Sequence, residues 1–310
     1  MITREEFHAK CQNIISDEDK AKIKKTKKRK IITVIVVFIL ELALGIVLSI
    51  NDPPTICANI ILMPISYLII HLIFARKWNE FKQKYSVAIL GCMLEGYSFT
   101  FNQNACVDQA LFRSSCFYSY YDNYSGSDLL TIDIPKDDGN PSGTLLNVSD
   151  LRTTKRVTYT NSNGHKEVKN EIVYYGVFGC ITFPFRFKCN LLLNHFLPKT
   201  NHFKLEDIKF NKKFRVYSNN QLEALVILTP PLMTKLLACA NKVKGFRLAL
   251  TEDGRLCFGM NRNLFEIKTS KKSLNNIFNR YYDDVSILLS IVDEIKNNNK
   301  IFKMWLKKTP

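Results

Sequence analysis

Paired cysteines are missing from this chain. Its nine cysteines include no CxxC and no regular spacing, which argues against a disulfide framework and for a reduced compartment. Phosphate-cradling signatures are missing too: neither GxGxxG nor a GxxxxGK loop ending in serine or threonine occurs. No GxSxG elbow marks a serine hydrolase. Cys189, His195 and His202 lie near one another in sequence, but without the spacing of a zinc module. No catalytic residue, metal or cofactor is therefore assigned. Acidic residues are the scarce charge, 28 against 44 basic ones, for a net charge of +16. No recognition helix or aromatic RNA-binding motif accompanies that charge, so anionic lipid headgroups are expected as partners ahead of nucleic acid.

What is abundant is apolar sequence in two blocks of 20 residues, 31–50 and 56–75. At ~1.5 Å rise per residue, a helix of this length spans roughly the thickness of a bilayer core. The spacing predicts a transmembrane helical hairpin over 31–75. The flanks set its direction: eight basic residues lie within 20–30, four within 76–84, and none within the NDPPT connection. Both termini are then cytoplasmic, in a multi-pass protein of the cell inner membrane. Glu41 is an isolated carboxylate in the first block. Depth matching across the hairpin places it opposite Ser66 and Tyr67, an intramembrane polar contact worth ~0.6 to 2 kcal/mol.

Residues 1–30 form a cytoplasmic segment that opens with TREE, where Thr3 and Glu6 have the spacing of a capping box. Phe7, Cys11, Ile14 and Ile15 then share one helical face, and a polybasic run follows. Residues 76–310 read as one cytoplasmic α+β domain. Helical pieces are expected within 85–117 and a turn-rich stretch over 118–150, with KDDGNPSG as its strongest breaker. Strands follow in RVTYT, EVKNEIVYY, GVFGCITF, FKCNLLLNHF and FRVYS, paired antiparallel. TPPLMTKLLACANKVKG is a helix capped at Thr229, with Pro230 at its first position. FRLAL and RLCFGM make a further hairpin, and 273–298 is a long C-terminal helix.

FNKKFRVYSNNQLEALVILTPPLM, with RLCFGMN beyond it, resembles an uncharacterised family of bacterial membrane proteins, domain of unknown function 3137. The block Phe214, Val216, Tyr217, Gln221, Glu223, Ala224, Thr229, Pro230 and Met233 carries the resemblance. Asn220 stands where that pattern has an aspartate, and Leu225 where it often has a basic residue. The resemblance implies a two-span anchor and an α+β domain, and no activity.

Together these observations predict a membrane-anchored binding or scaffold module. Its partners would be anionic lipid and a protein or a second copy. Two alternatives stand beside it: a membrane-tethered enzyme, and a small subunit of a transport complex organised around Glu41. The enzyme reading requires the polar residues of Tyr217 to Thr229 to converge in a concave pocket.

Overall fold

Thr3 closes the first helix as its sequence requires. Its hydroxyl accepts the Glu6 N–H at 3.3 Å, while its own N–H donates to the Glu6 carboxylate at 2.9 Å. The resulting helix buries Phe7 and Cys11. The computed structural model describes residues 2–297 except 52–55, 119, 136–142, 161, 163, 184–185, 196–201 and 265–273. Most of NDPPT and of KDDGNPSG lies outside those residues.

In chain order the elements are α1 (Arg4–Ile14), α2 (Asp17–Asn51), α3 (Ile56–Met93), β1 (Ser98–Asn102), α4 (Gln109–Ser114), β2 (Asn123–Ile134), β3 (Thr144–Thr160) and β4 (Lys166–Thr182). There follow β5 (Leu191–Asn194), α5 (Ile208–Lys213), β6 (Arg215–Ser218), α6 (Gln221–Ile227), α7 (Pro230–Lys242), β7 (Arg247–Thr251), β8 (Arg255–Met260) and α8 (Leu274–Asn297). The chain divides into two compact units: a helical one of residues 2–93 with 267–280, and a sheet one of residues 94–266 with 281–310.

In the helical unit, the expected transmembrane hairpin is corrected: among the described residues no single helix is long and apolar enough to cross a membrane. The apolar blocks do not form discrete helices. Lysine is a good helix former, so α2 begins at Asp17 and runs straight through the polybasic stretch into the apolar one. α3 likewise carries its helix past Phe74 into the charged sequence RKWNEFKQK. The described apolar stretch of α3, Pro64–Phe74, is short. A polar knot ties the helices, since the Asp19 carboxylate accepts from Lys84 Nζ at 2.6 Å, Ser16 Oγ at 3.1 Å and the Tyr85 hydroxyl. These donors, Lys84 first, hold the Asp19 carboxyl well below the usual aspartate range.

The sheet unit is built on one eight-stranded antiparallel sheet in the order β1-β2-β3-β4-β8-β7-β5-β6. After β4 the chain leaves the growing sheet, forms the far edge and returns through β8. The stretch expected to be turn-rich, 118–150, holds β2 and the start of β3 instead. Its alternation is masked in sequence by a bulge between Ser127 and Leu130, where Asp128 adopts φ +62°.

Period-two alternation gives the sheet two buried faces. One carries Tyr174, Phe178, Cys180, Ala249 and Cys257 beneath Phe112, Phe117 and Tyr121. The Phe112 and Phe117 rings meet Phe178 edge-on at 5.1 and 6.0 Å. The other carries Val177, Ile181, Leu191, Leu193, Val216, Leu248, Leu250, Leu256 and Phe258, all buried. On that face Phe258 lies across from its register partner Gly179, where a Cβ would come within 2.2 Å of its ring. Arg247 is 1% exposed. Its guanidinium sits 5.0 Å from the Tyr174 ring centre and 5.2 Å from that of Tyr118, and donates to Asn261 Oδ1 at 2.5 Å.

Candidate functional site

Directly paired residues of adjacent strands point to the same face of a sheet. One such row runs Tyr217, Leu192, Ala249, Cys257, Cys180 and Asn147 from edge strand β6 to β3. At the β6 end, helix α4 and the segment after it stop short of covering the row. A groove of about 240 Å³ remains, floored by Leu192, Ala249 and Tyr217 and walled by Ser115, Cys116 and Asn219.

The wall from α4 has an unusual backbone. Asp108 caps the helix by accepting the Ala110 N–H at 2.6 Å. At the other end Cys116 takes φ +55°, the left-handed conformation that commonly terminates helices and usually belongs to glycine. Its N–H reaches Arg113 O at 3.3 Å. The turn leaves the Cys116 side chain exposed. The thiol donates to Ser114 O at 3.6 Å.

The rim is a lattice of asparagines. Asn219 Oδ1 accepts the Asn190 N–H at 2.9 Å, and its Nδ2 donates to Glu252 at 2.6 Å. Asn190 Oδ1 in turn accepts the Glu252 N–H at 3.0 Å. The three loops that end β6, precede β5 and follow β7 are thereby knitted around the opening. Ser218 is held by Asn220, whose N–H it accepts at 3.1 Å. His202 tilts against Tyr217 with ring centres 6.1 Å apart. Behind Asn190, burial pushes the Cys189 thiol up. The lining, among the described residues, holds no histidine or carboxylate; its polar groups are the Ser115, Tyr217, Ser218 and Thr251 hydroxyls, the Cys116 thiol and the Asn190 and Asn219 amides. Among the described residues no group of three or more histidine, cysteine, aspartate or glutamate side chains is placed to hold a metal ion.

The structure brings Tyr217 of the motif block into this groove and uses its neighbours for packing. Phe214, Val216 and Ala224 are buried. Phe214 packs on Phe210 with the ring centres 4.9 Å apart and the planes tilted by 40°. Gln221 is exposed at the start of α6, and Glu223 pairs with Lys188 at 3.7 Å. Asn220 caps α6 through the Glu223 N–H at 3.3 Å, work that aspartate does equally well. Thr229 precedes α7 without a side-chain cap, Pro230 opens that helix, and Met233 is half-buried in it. α6 and α7 are bent 78° to each other. They bury Ala224, Ile227, Leu232 and Leu236. Leu225 is 49% exposed. Sequence reasoning missed Ser115, Cys116 and Asn190, which lie far from the motif and carry no local signature.

Glu41, Ser66 and Tyr67 lie together in the helical unit. The Ser66 hydroxyl donates to the Glu41 carboxylate. The pair sits in a cleft of about 350 Å³ between α2 and α3 that is lined also by Val34, Val37, Phe38 and Tyr67. Val34, Val37 and Glu41 follow the three-then-four spacing of a helix seam.

Residues 172–297 match the family described as Protein of unknown function (DUF3137), and the resemblance carried by the motif block is shown over that segment. No curated protein and no solved structure matches the chain. Asn190, Tyr217 and Asn219 fall inside the family segment, whereas Ser115 and Cys116 fall outside it.

Proposed function

We propose that this DUF3137-bearing chain is a binding module held against an anionic lipid surface by its helical unit, with the groove of the sheet unit as its ligand site. One observation carries the reading. Ile31, Ile35, Phe38, Leu40 and Ile46 of α2 are 50%, 52%, 50%, 63% and 62% exposed, and Leu68 and Leu72 of α3 are 57% and 60% exposed. An apolar surface this extensive marks a membrane or partner contact. The polybasic run Lys20–Lys30 leads into it on the same helix, and each basic residue near an anionic surface adds about 1 kcal/mol. That charge favours lipid as the occupant, and the leaflet facing the cytoplasm as its place. The asparagine-rimmed groove, with its apolar floor and ring of amide and hydroxyl groups, supports recognition of a small polar ligand.

Flotation of the full chain with vesicles tests this. With phosphatidylglycerol in the vesicles the protein is expected to rise with the lipid and to stay there in high salt, because apolar burial holds it. A protein that remains at the bottom of the gradient with every vesicle composition sinks the proposal.

A further inference from the structure

β3 and β4 outrun the sheet. β2 stops pairing with β3 at Thr154, and β8 pairs with β4 only from Val177 onward. Beyond that point residues 155–160 and 166–171 pair, among the described strands, only with each other. At ~3.3 Å per residue they form a two-stranded ribbon reaching roughly 20 Å beyond the sheet. A bulge opposite Thr153 and Thr154 absorbs Val173, so β3 keeps its alternation out to the tip.

That alternation sorts the ribbon by charge. One face carries Lys155, Val157 and Tyr159 opposite Glu171, Lys169 and Glu167. Both acids of the ribbon lie there, and Glu167 accepts the Tyr159 hydroxyl at 2.5 Å. The opposite face carries Arg152, Thr154, Arg156, Thr158 and Thr160 against Tyr175, Ile172, Asn170, Val168 and Lys166. Arg152, Arg156 and Lys166 are exposed, and no ribbon carboxylate shares their face. Of the carboxylates beyond the ribbon, Asp122 accepts the Arg156 backbone N–H at 2.6 Å, and Asp150, two positions before Arg152 on the same face, accepts the Leu264 N–H at 2.6 Å. Between the cations stand Val168, Ile172 and Tyr175, 63%, 58% and 49% exposed.

We propose that this face is a lipid-contacting finger, with Arg152, Arg156 and Lys166 taking headgroup phosphates while Val168 and Ile172 enter the interface. The charge complements an anionic surface. A phosphate backbone would use the three cations equally well but would give nothing to two aliphatic side chains, and Tyr175 alone offers a base little to stack on. The lipid interface rewards all of them, since aromatic rings, aliphatic groups and cations partition there together. The inference rests on the lipid-surface reading above for the setting in which the finger works.

Its test is amide exchange of the full chain on vesicles of phosphatidylcholine with and without phosphatidylglycerol. Exchange within 154–160 and 166–172 should slow only with phosphatidylglycerol. The double change Arg156→Glu, Lys166→Glu should abolish that slowing while the protein still floats. In a titration with a soluble short-chain phosphatidylglycerol, each cation removed should weaken ribbon protection about fivefold, which corresponds to ~1 kcal/mol per basic residue. Unchanged exchange on protein that floats overturns the finger and leaves the helical tether standing. Protein that never floats overturns the tether, and the short-chain titration then decides the finger alone. Protection by single-stranded RNA in place of the lipids also overturns it.

Discussion

Cys116 carries a side chain where the backbone asks for none. Relief of its left-handed conformation in a Cys116→Gly variant should raise the stability of the sheet unit by about 1 kcal/mol, read as a higher urea midpoint. The same turn makes this thiol the exposed one, the other described cysteines being buried or half-buried. A neutral alkylating reagent should modify Cys116 first in the native protein, as peptide mapping would show, and should thereby fill the groove. Nothing in the sequence announces this residue. The motif block pointed to Tyr217, which lines the groove. Its other members became core, a helix start and a surface ion pair, because most of such a block records packing. The residues that share the groove with Tyr217 are Ser115, at the end of α4, and Asn190, before β5, brought together by tertiary packing.

Helices with explicit end signals were legible: Thr3 with Glu6, and Thr229 with Pro230, mark α1 and α7 to within a residue. Strands rich in β-branched residues were legible too, along with their antiparallel sense. β2 was not, because its buried alternation of Leu130, Ile132 and Ile134 begins only after the bulge at Asp128, and the polar NYSGSD before it reads as turn. The start of α2 and the end of α3 were misjudged because charged sequence does not stop a helix, whereas the end of α2 and the start of α3 fall within a residue of the apolar blocks. The knot at Asp19 belongs to this scale and gives a pH signature. Its carboxyl is depressed, so the stability it contributes is complete above the ordinary aspartate range and is lost as pH falls through the lower folded value. Amide protection at residues 16–20 and 82–86, taken relative to the unstructured exchange rate at each pH, should therefore persist at mildly acidic pH and fall only in stronger acid. In Asp19→Asn the protection should be reduced already at neutral pH and should change little on acidification.

At the scale of the molecule, two units divide the work that the charge and apolar blocks imply, one offering apolar helices and the other a sheet with a groove at its edge. The strand order sets what can be cut from this chain. The family segment begins at residue 172, inside β4, whose pairing with β3 extends on both sides of that point. A fragment starting there keeps β4, β8, β7, β5 and β6 but loses the neighbour that covers one side of β4. From Val177 to Thr182 a row of backbone N–H and C=O groups would then face water, flanked by buried side chains such as Phe178 and Ile181. Unpaired strands of that kind recruit other copies of themselves. The fragment 172–297 should precipitate or elute as large particles on size exclusion, and extension back to Ser98 should restore a discrete species. The segment that matches the family is in this sense an unfinished sheet, whose β4 finds its other neighbour in β3, a strand that lies before the match.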